Sequence, residues 1–404
     1  MSFQQALSGL NAASRSLDVI GHNIANSGTV GMKSSRAEFA EVYASSAGGI
    51  GGTNVGLGVA VGAVTQQFAQ GSLSITGNDL DVAVNGSGFF QVTAADGSTA
   101  YTRAGNFKLD KDGNIITASG AQVMGYPTDA SGVRQSFDAQ PLRLPTGAPI
   151  PARRTTAMAA EITLDASAPI AANASPPTPL TTYGTSLTAY DAQGLEIPVG
   201  LYFQKTANNT WNVYTSVNGS DPGASTPFQL NFLADGSLDP ASTIPQITLA
   251  SPNDPAVTFP ATLDLSRLTQ VNARFAVSDL SQDGYSAGQL TGIKIENSGV
   301  ITATYSNGQT QSAGQVALVN FRNTQGLAPS GSGYWVETFA SGQPVRGAPG
   351  EGTFGQLRSG TLEESNVDLT AELVNMMTTQ RAYQANAQTI KTQDQVMSTL
   401  VNLR

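Results

Sequence analysis

Apolar residues recur at seven-residue steps at both ends of this chain, and this pattern constrains the fold more than any other feature of the sequence. Steps of seven with intervening steps of three and four place apolar side chains along one face of an α-helix. The sequence therefore predicts one long amphipathic helix at each end, the second starting at Ser365-Asn366. The apolar residues are Phe3, Leu7, Leu10, Leu17, Ile20 and Ile24 in the first helix, and Leu369, Leu373, Met376, Tyr383, Ile390, Met397, Leu400 and Val401 in the second.

These two apolar helical faces need partners that exclude water. At 1.5 Å per residue the helices would be about 35 and 55 Å long, and no other helical pattern lies near them in the sequence. We expect the two faces to pack against each other in a coiled-coil-like layer or against other subunits. The apolar residues named above are therefore predicted to form a polymerisation interface, with an ordinary core-facing helix pair as the alternative.

The chain between the helices has the pattern of short strands joined by tight turns. Segments such as residues 80–84, 88–92 and 316–321 are rich in β-branched and aromatic residues and are bounded by Gly, Asn or Asp. Charged residues make up only 12% of the chain, which favours sheets over charged helical bundles. The predicted fold class is α+β, mostly β. Dipeptides that supply the positive φ of hairpin turns are Asp112-Gly113, Asn218-Gly219, Asp235-Gly236, Asp283-Gly284 and Asn307-Gly308.

Because the helical ends lie at opposite extremes of the chain, the simplest architecture is a nested one. An outer β domain is then inserted into an inner β domain, which is itself inserted between the helices. The predicted divisions are residues 1–30 and 362–404 for the terminal helical domain, 31–70 for a connecting segment, 71–145 and 285–361 for the inner β domain, and 146–284 for the outer β domain.

Residue types that carry catalysis or bind cofactors are sparse. The chain has no cysteine and one histidine, His22, which the pattern places on the surface of the first helix. Residues 110–114 begin like a calcium loop but lack its later glutamate, so we interpret them as a β-turn. Residues 56–62 do not have the spacing of a dinucleotide-binding loop. We therefore predict no enzyme, no cofactor and no metal site.

Charge and hydropathy also bear on partners and location. The net charge is −9, and no basic cluster is longer than Arg153-Arg154, so nucleic acid is not an expected partner. No apolar run is long enough to cross a bilayer, so membrane insertion is not expected. The first ten residues lack both the basic residues and the apolar core of a signal peptide. If the protein leaves the cytosol, we expect export without a cleaved signal peptide.

Ten segments carry a recognisable pattern: residues 8–13 (SGLNAA), 17–26 (LDVIGHNIAN), 80–90 (LDVAVNGSGFF), 101–110 (YTRAGNFKLD), 125–127 (GYP), 362–369 (LEESNVDL) and 380–386 (QRAYQAN), with 185–194 (TSLTAYDAQG), 201–203 (LYF) and 263–266 (LDLS) in the long insertion. Together they resemble the rod–hook family of bacterial flagellar axial proteins, over nearly the whole chain. The resemblance to hook members of the family rather than rod members depends on the long insertion, which typical rod proteins lack. His22 stands where asparagine is common, and Met32 where an aromatic residue is usual.

The resemblance implies a structural function in swimming motility. Many copies would assemble into a curved hollow tube, a universal joint that passes torque from the basal-body rod to the filament. It also implies export through the flagellar type III apparatus, a location in the extracellular hook, and contacts with the distal rod, the hook cap and the hook–filament junction proteins.

Three other functions remain open at this stage. A distal rod-type axial protein would share the helices and the inner domain but would form straight tubes. A secreted or phage-like adhesin would explain the turns and the low charge but not the paired helical ends. A carbohydrate-acting enzyme would need an acidic pair in a cleft, such as Asp79 with Asp81 or Asp110 with Asp112.

Overall fold

The computed structural model describes residues 2–42, 58–145, 149–173 and 178–402, without the side chains of residues 2 and 400–402. Its two long helices are α1, Ser2–Ala25, and α2, Leu369–Asn402, and they pack along each other. Almost all other regular structure is β-strand. The predicted fold class, mostly β with paired terminal helices, is confirmed.

The second helix begins three residues later than Ser365-Asn366. The Asp368 carboxylate accepts hydrogen bonds from the backbone N–H groups of Thr370 (2.9 Å) and Ala371 (3.1 Å), so Asp368 is the N-cap. Its negative charge also lies where the positive end of the helix dipole stabilises it. Asn366 makes other contacts, described below, and this leaves it outside the helix.

The strands are short and follow one another closely along the chain. Ten precede residue 146: β1 Ser35–Val42, β2 Gly58–Gln66, β3 Leu73–Ile75, β4 Val82–Asn85, β5 Phe89–Thr93, β6 Thr99–Thr102, β7 Lys108–Leu109, β8 Ile115–Ile116, β9 Gln122–Tyr126 and β10 Gln140–Pro141. The next nine are β11 Ala157–Asp165, β12 Gly184–Tyr190, β13 Glu196–Ala207, β14 Thr210–Val217, β15 Phe228–Asn231, β16 Ile247–Ala250, β17 Thr258–Asp264, β18 Thr269–Val271 and β19 Ala276–Gln282. The last nine are β20 Leu290–Ile295, β21 Val300–Tyr305, β22 Thr310–Val316, β23 Leu318–Asn320, β24 Ala328–Gly331, β25 Tyr334–Val336, β26 Val345–Gly347, β27 Gln356–Ser359 and β28 Thr361–Glu363.

The chain divides into two compact units. Unit 1 consists of Met1–Gly147, Gly292–Ala303 and Thr310–Arg404, and unit 2 consists of Ala148–Thr291 and Thr304–Gln309. In unit 1 the main sheet has the order β22-β9-β5-β6-β25-β24 at its centre, while β27 pairs with β4 and β28 pairs with β3. The last two pairings join the two ends of the insertion, so they bring the start of α2 close to the end of α1.

Apolar side chains that alternate along these strands form separate cores. One unit 1 core surrounds Phe90 and Phe107, whose rings meet edge to face at 5.0 Å, and a second surrounds Phe89 and Trp335. In unit 2 the sheet β12-β13-β14-β15 and the sheet β16-β17-β11-β18, with β19 on β11, share one core around Trp211. Each unit therefore has enough buried apolar surface to hold its own strands.

The predicted turn glycines adopt positive φ at Gly113, Gly219, Gly236 and Gly308. The prediction for Asp283-Gly284 is wrong. A Cβ on Gly284 would lie 2.3 Å from the Thr155 hydroxyl, so this glycine is needed for close packing rather than for a hairpin turn. The Asp283 carboxylate instead accepts a hydrogen bond from the Ala157 N–H at the start of β11.

Candidate polymerisation interface

The contact between α1 and α2 runs along the small residues of α1. Ala6, Ala13 and Ile20 are buried and lie seven residues apart, so they form one line along the helix. Between them, a Cβ on Gly9 would lie 2.8 Å from Asn386 of α2. The small side chains let the helices approach closely, and most large apolar residues of α1 lie beside this line rather than on it.

The predicted interface residues fall into three groups by exposure. Ile20 is buried against α2, and Leu10, Leu17, Ile24, Met376 and Ile390 are half-buried. Phe3, Leu7, Leu369, Leu373, Tyr383 and Met397 are exposed, with Met397 57% and Leu373 50% accessible. The side chains of Leu400 and Val401 lie outside the described residues. The helix pair of one subunit thus leaves much of the predicted surface uncovered.

Further exposed apolar residues occur at positions that the heptad pattern did not predict. Val374, Met377 and Val396 on α2 are about half exposed. Strands β1 and β2 form an antiparallel ribbon that contacts α1, and its exposed residues include Phe39, Val42, Val61 and Val64. The alternation of apolar residues along β2 was the one sequence signal for this surface. A two-stranded ribbon is marginally stable in water by itself, so exposed apolar residues on it are candidates for contacts with other chains.

Two asparagines fix the helices to the strands beside them. The buried Asn23 of α1 donates to the Ser35 carbonyl (2.8 Å) and to Glu372 Oε1 of α2 (2.9 Å), and its Oδ1 accepts from the Ser35 N–H. Asn366 Oδ1 accepts from the Ser34 N–H (2.7 Å), and its Nδ2 donates to the Gln67 carbonyl (2.7 Å). The end of α1, the ribbon and the start of α2 are therefore joined by the hydrogen bonds of these two side chains.

A buried carboxylate, Glu363, connects the same segments to the β body of unit 1. Its Oε1 accepts from Lys33 Nζ (2.5 Å) and from the Gly71 N–H (3.0 Å), and its Oε2 accepts from Arg103 Nη1 (3.3 Å). The side chains of Glu363 and Lys33 are completely buried. Arg103 also lies over the Phe89 ring, 5.4 Å from its centroid. We call Lys33, Arg103 and Glu363 the Glu363 cluster.

Burial acts on the charges of this cluster. Desolvation lowers the pKa of Lys33, although the hydrogen bond and the charge of Glu363 act in the opposite direction. Desolvation likewise lowers the pKa of Arg103, again opposed by Glu363. Arg103 Nε has no hydrogen-bond partner. One carboxylate thus compensates two buried cations, and its loss would leave both without a counter-charge.

The other candidate residues from the sequence, His22 and Asp110, lie close to neighbouring side chains and backbone groups of their own segments. His22 is exposed on α1, and its Nδ1 lies 3.3 Å from Asn26 Nδ2. Asp110 accepts hydrogen bonds from the backbone N–H groups of Asp112 and Asn114, and the Asn114 side chain lowers the pKa of this carboxyl. Among the described residues, no group of three or more His, Cys, Asp or Glu side chains could hold a metal ion, and none of the described helices could span a membrane.

Family models match successive parts of the chain. Residues 3–33 match the flagella basal body rod protein family, and residues 83–168 match the D1 domain of the flagellar hook protein FlgE/F/G family. Residues 161–285 match the D2 domain of the flagellar basal body protein FlaE, and residues 358–403 match the C-terminal region of the flagellar basal body rod FlgEFG proteins. The D2 match covers much of the insertion that favoured a hook member over a rod member.

Similar proteins cover the full length of the chain. It is 42% identical to the flagellar hook protein FlgE of Salmonella typhimurium and 43% identical to that of Escherichia coli, over 100% of both chains in each comparison. It is 33% identical to the FlgE of Treponema pallidum over 100% of this chain and 99% of the relative. The crystal structure of Helicobacter pylori flagellar hook protein FlgE2 has the same fold over 72% of this chain and 100% of its own, with a TM-score of 0.55 at 16% identity. With paired terminal helices, nested β units and full-length relatives of one kind, this chain belongs to the flagellar hook protein family.

Proposed function

We propose that this protein, a structural subunit of the extracellular flagellar hook, assembles into a curved hollow tube through its terminal helices and the adjoining ribbon. The observation that carries the proposal is the apolar surface that the α1–α2 pair and the β1–β2 ribbon leave exposed in one subunit. Burying one large apolar side chain stabilises an assembly by about 1.5–3 kcal/mol before association costs. Copies of the same surface, repeated along a helix of subunits, would bury one another.

The proposed interface consists of the residues predicted from the heptad pattern. Its centre is the half-buried set that includes Leu10, Leu17 and Ile390, because a neighbouring subunit needs to cover only the remaining half of each side chain. The exposed set that includes Leu7, Leu373 and Met397 would make contacts between subunits only. We further propose that residues 1–30 and 362–404 form the wall of the tube and that residues 31–70 connect it to the β domains.

The β domains would make the outer contacts, with residues 71–145 and 285–361 as the inner domain and 146–284 as the outer one. A bending tube needs contacts that slide or break while its wall stays intact. Polar, glycine-rich surfaces suit such contacts because little apolar area is exposed when they shift. Torque would reach the wall through the Glu363 cluster and the two asparagines, which tie α1 and α2 to the β-strands of unit 1.

This role also implies specific protein partners. The first subunits of the tube would contact the distal rod, the last would contact the hook–filament junction proteins, and a cap protein would guide growth at the tip. Subunits would reach that tip through the flagellar type III export apparatus. A structural subunit of this kind would have no catalytic activity.

The test compares the purified wild-type chain with Leu10→Asp and Ile390→Asp variants, in growth from sheared hook fragments. A carboxylate in the desolvated helix contact costs far more than one apolar side chain contributes, so both variants should fail to extend the fragments. Asn11→Asp is the matched control, since Asn11 is exposed on α1 beside Leu10 and should tolerate the same charge. Electron microscopy measures the tubes, and tryptophan fluorescence checks that the β units are folded.

Full-length tubes from either apolar-site variant would contradict the proposed interface. A chain lacking residues 366–404 should stay monomeric. Tubes of the intact chain should be curved, whereas straight tubes would favour the distal rod-type alternative.

A further inference from the structure

Phe339 is the most exposed large apolar side chain among the described residues, with an accessibility of 105%. It lies on the turn between β25 and β26, in unit 1. The backbone on both sides of Phe339 is fixed by hydrogen bonds.

The turn that carries Phe339 is closed by its own hydroxyl groups. Ser341 Oγ donates to the Thr338 carbonyl (2.8 Å), and the Thr338 N–H donates to Ser341 Oγ (3.0 Å). The Ala340 N–H donates to Thr338 Oγ1 (3.1 Å), and Ser341 is completely buried. These bonds fix the backbone immediately before and after the phenylalanine.

The turn is in addition seated on a second one, formed by residues 323–326. Thr338 Oγ1 donates to the Gly326 carbonyl (2.6 Å), and Asn323 Nδ2 donates to the Ala340 carbonyl (3.0 Å). The backbones approach so closely that a Cβ on Gly326 would lie 2.4 Å from the Ala340 carbonyl carbon. Two interlocked turns therefore fix the backbone that carries the exposed phenyl ring.

From this geometry we infer that Phe339 is an anchor that inserts into a second copy of this chain. Binding hot spots are enriched in large side chains that fill pockets on the partner, and a preordered backbone lowers the conformational entropy lost when such a side chain is buried. A ring exposed to water does not stabilise the isolated subunit. It contributes binding free energy only when another surface covers it.

The position of the turn favours a second copy over another kind of partner. Gln325, in the supporting turn, donates from Nε2 to the carbonyl of Gln66 (2.8 Å), the last residue of β2. The turn that supports the anchor is thus tied to the end of the ribbon that bears the exposed Val61 and Val64. This inference rests on the proposed function, in which that ribbon faces neighbouring subunits. In a tube of identical subunits, all copies except those at the ends meet only other copies.

The direct test places the photo-cross-linking residue p-benzoylphenylalanine at position 339 of the full chain. Irradiation of tubes grown from hook fragments should yield covalent dimers and higher multimers, and mass spectrometry of the cross-linked peptide should identify a second copy. The same variant irradiated as monomer, at equal concentration, is the control and should yield none. Tubes that form normally and give no cross-link between copies would overturn the inference.

A second measurement uses the concentration of free subunit that coexists with tubes. Phe339→Ala should raise it about thirtyfold, the lower bound for a hot-spot residue, whereas Phe339→Tyr should leave it within about twofold. Both variants should unfold like the wild type, because the ring has no contacts to lose. If Leu10→Asp blocks assembly while Phe339→Ala changes nothing, the anchor is refuted and the proposed function stands. If Leu10→Asp assembles normally, the proposed function itself fails.

Discussion

Replacing Glu363 by glutamine should destabilise unit 1 severely while leaving unit 2 unchanged. The substitution keeps the shape of the side chain and a carbonyl oxygen for the Gly71 N–H, but it removes the charge shared by Lys33 and Arg103. Breaking a buried ion pair by removing one partner costs about 3–5 kcal/mol, because the remaining charge is left uncompensated in a medium of low polarity. We therefore expect the free energy of unfolding of unit 1 to fall by about 3–5 kcal/mol.

The chain has two tryptophans, one buried in each unit, so it supplies its own reporters. Trp335 lies in a core of unit 1 and Trp211 in the core of unit 2. Urea unfolding of monomer followed by fluorescence, in variants that keep one tryptophan and carry phenylalanine at the other position, separates the two transitions. Glu363→Gln should move the Trp335 transition to lower urea and leave the Trp211 transition in place.

Asp18→Asn is the matched control, because it removes the same charge from a pair with Arg15 whose side chains are 72% and 65% exposed. An exposed pair contributes at most about 1 kcal/mol. Adding Lys33→Met to Glu363→Gln should recover part of the loss, since it removes one of the two uncompensated cations. If Glu363→Gln shifts the Trp335 transition no more than Asp18→Asn does, the Glu363 cluster does not hold unit 1 together.

Three other predictions concern the pKa of Asp110 and the substitution of two glycines by alanine. The pKa of Asp110 is lowered in the folded state, so its contribution to stability is complete above about pH 5 and is lost as the pH falls through the pKa of an ordinary aspartate towards the lower folded-state pKa. In urea unfolding, the difference in stability between wild type and Asp110→Asn should therefore shrink from pH 7 to pH 3, and a constant difference would contradict this reasoning. Gly105→Ala should destabilise unit 1 by at least about 1–3 kcal/mol, because its Cβ would lie 1.7 Å from the Val82 carbonyl oxygen. Gly21→Ala, in α1 with nothing within 4 Å of the new Cβ, should instead stabilise the helix by about 0.5–1 kcal/mol, as measured by circular dichroism during unfolding.

The sequence predicted the kinds of elements better than the contacts between them. Heptad spacing predicted both helices, since an apolar face is a local pattern. The line buried between α1 and α2 runs instead through Ala6 and Ala13, because close approach of two helices selects small residues that a hydropathy pattern weights little. Which predicted interface residues meet a neighbouring subunit stays a prediction, because an isolated chain has no neighbour.

The sequence did not predict the Glu363 cluster. Glu363 and Arg103 lie in segments that carry the family resemblance, but Lys33 and Glu363 are 330 residues apart and no local pattern pairs them. Their pairing depends on β28 lying against β3, which in turn depends on the whole insertion closing on itself. The hairpin-turn prediction for Asp283-Gly284 was wrong for a related reason. Thr155, whose hydroxyl occupies the space that a side chain at Gly284 would need, is remote in sequence.

The nested order of the chain also decides when each part can fold. Unit 2 is formed almost entirely by the continuous stretch Ala148–Thr291, whereas unit 1 is assembled from three segments that include both termini. Closing so long a loop costs entropy before its contacts are gained, and contacts distant in sequence slow folding. In a chain that emerges from its N-terminus onward, unit 2 has all it needs while β27 and β28 are still missing. The helices that would build the tube therefore cannot be anchored to the β-strands of unit 1 until β27 and β28 have emerged, which would delay self-association until most of the chain is free.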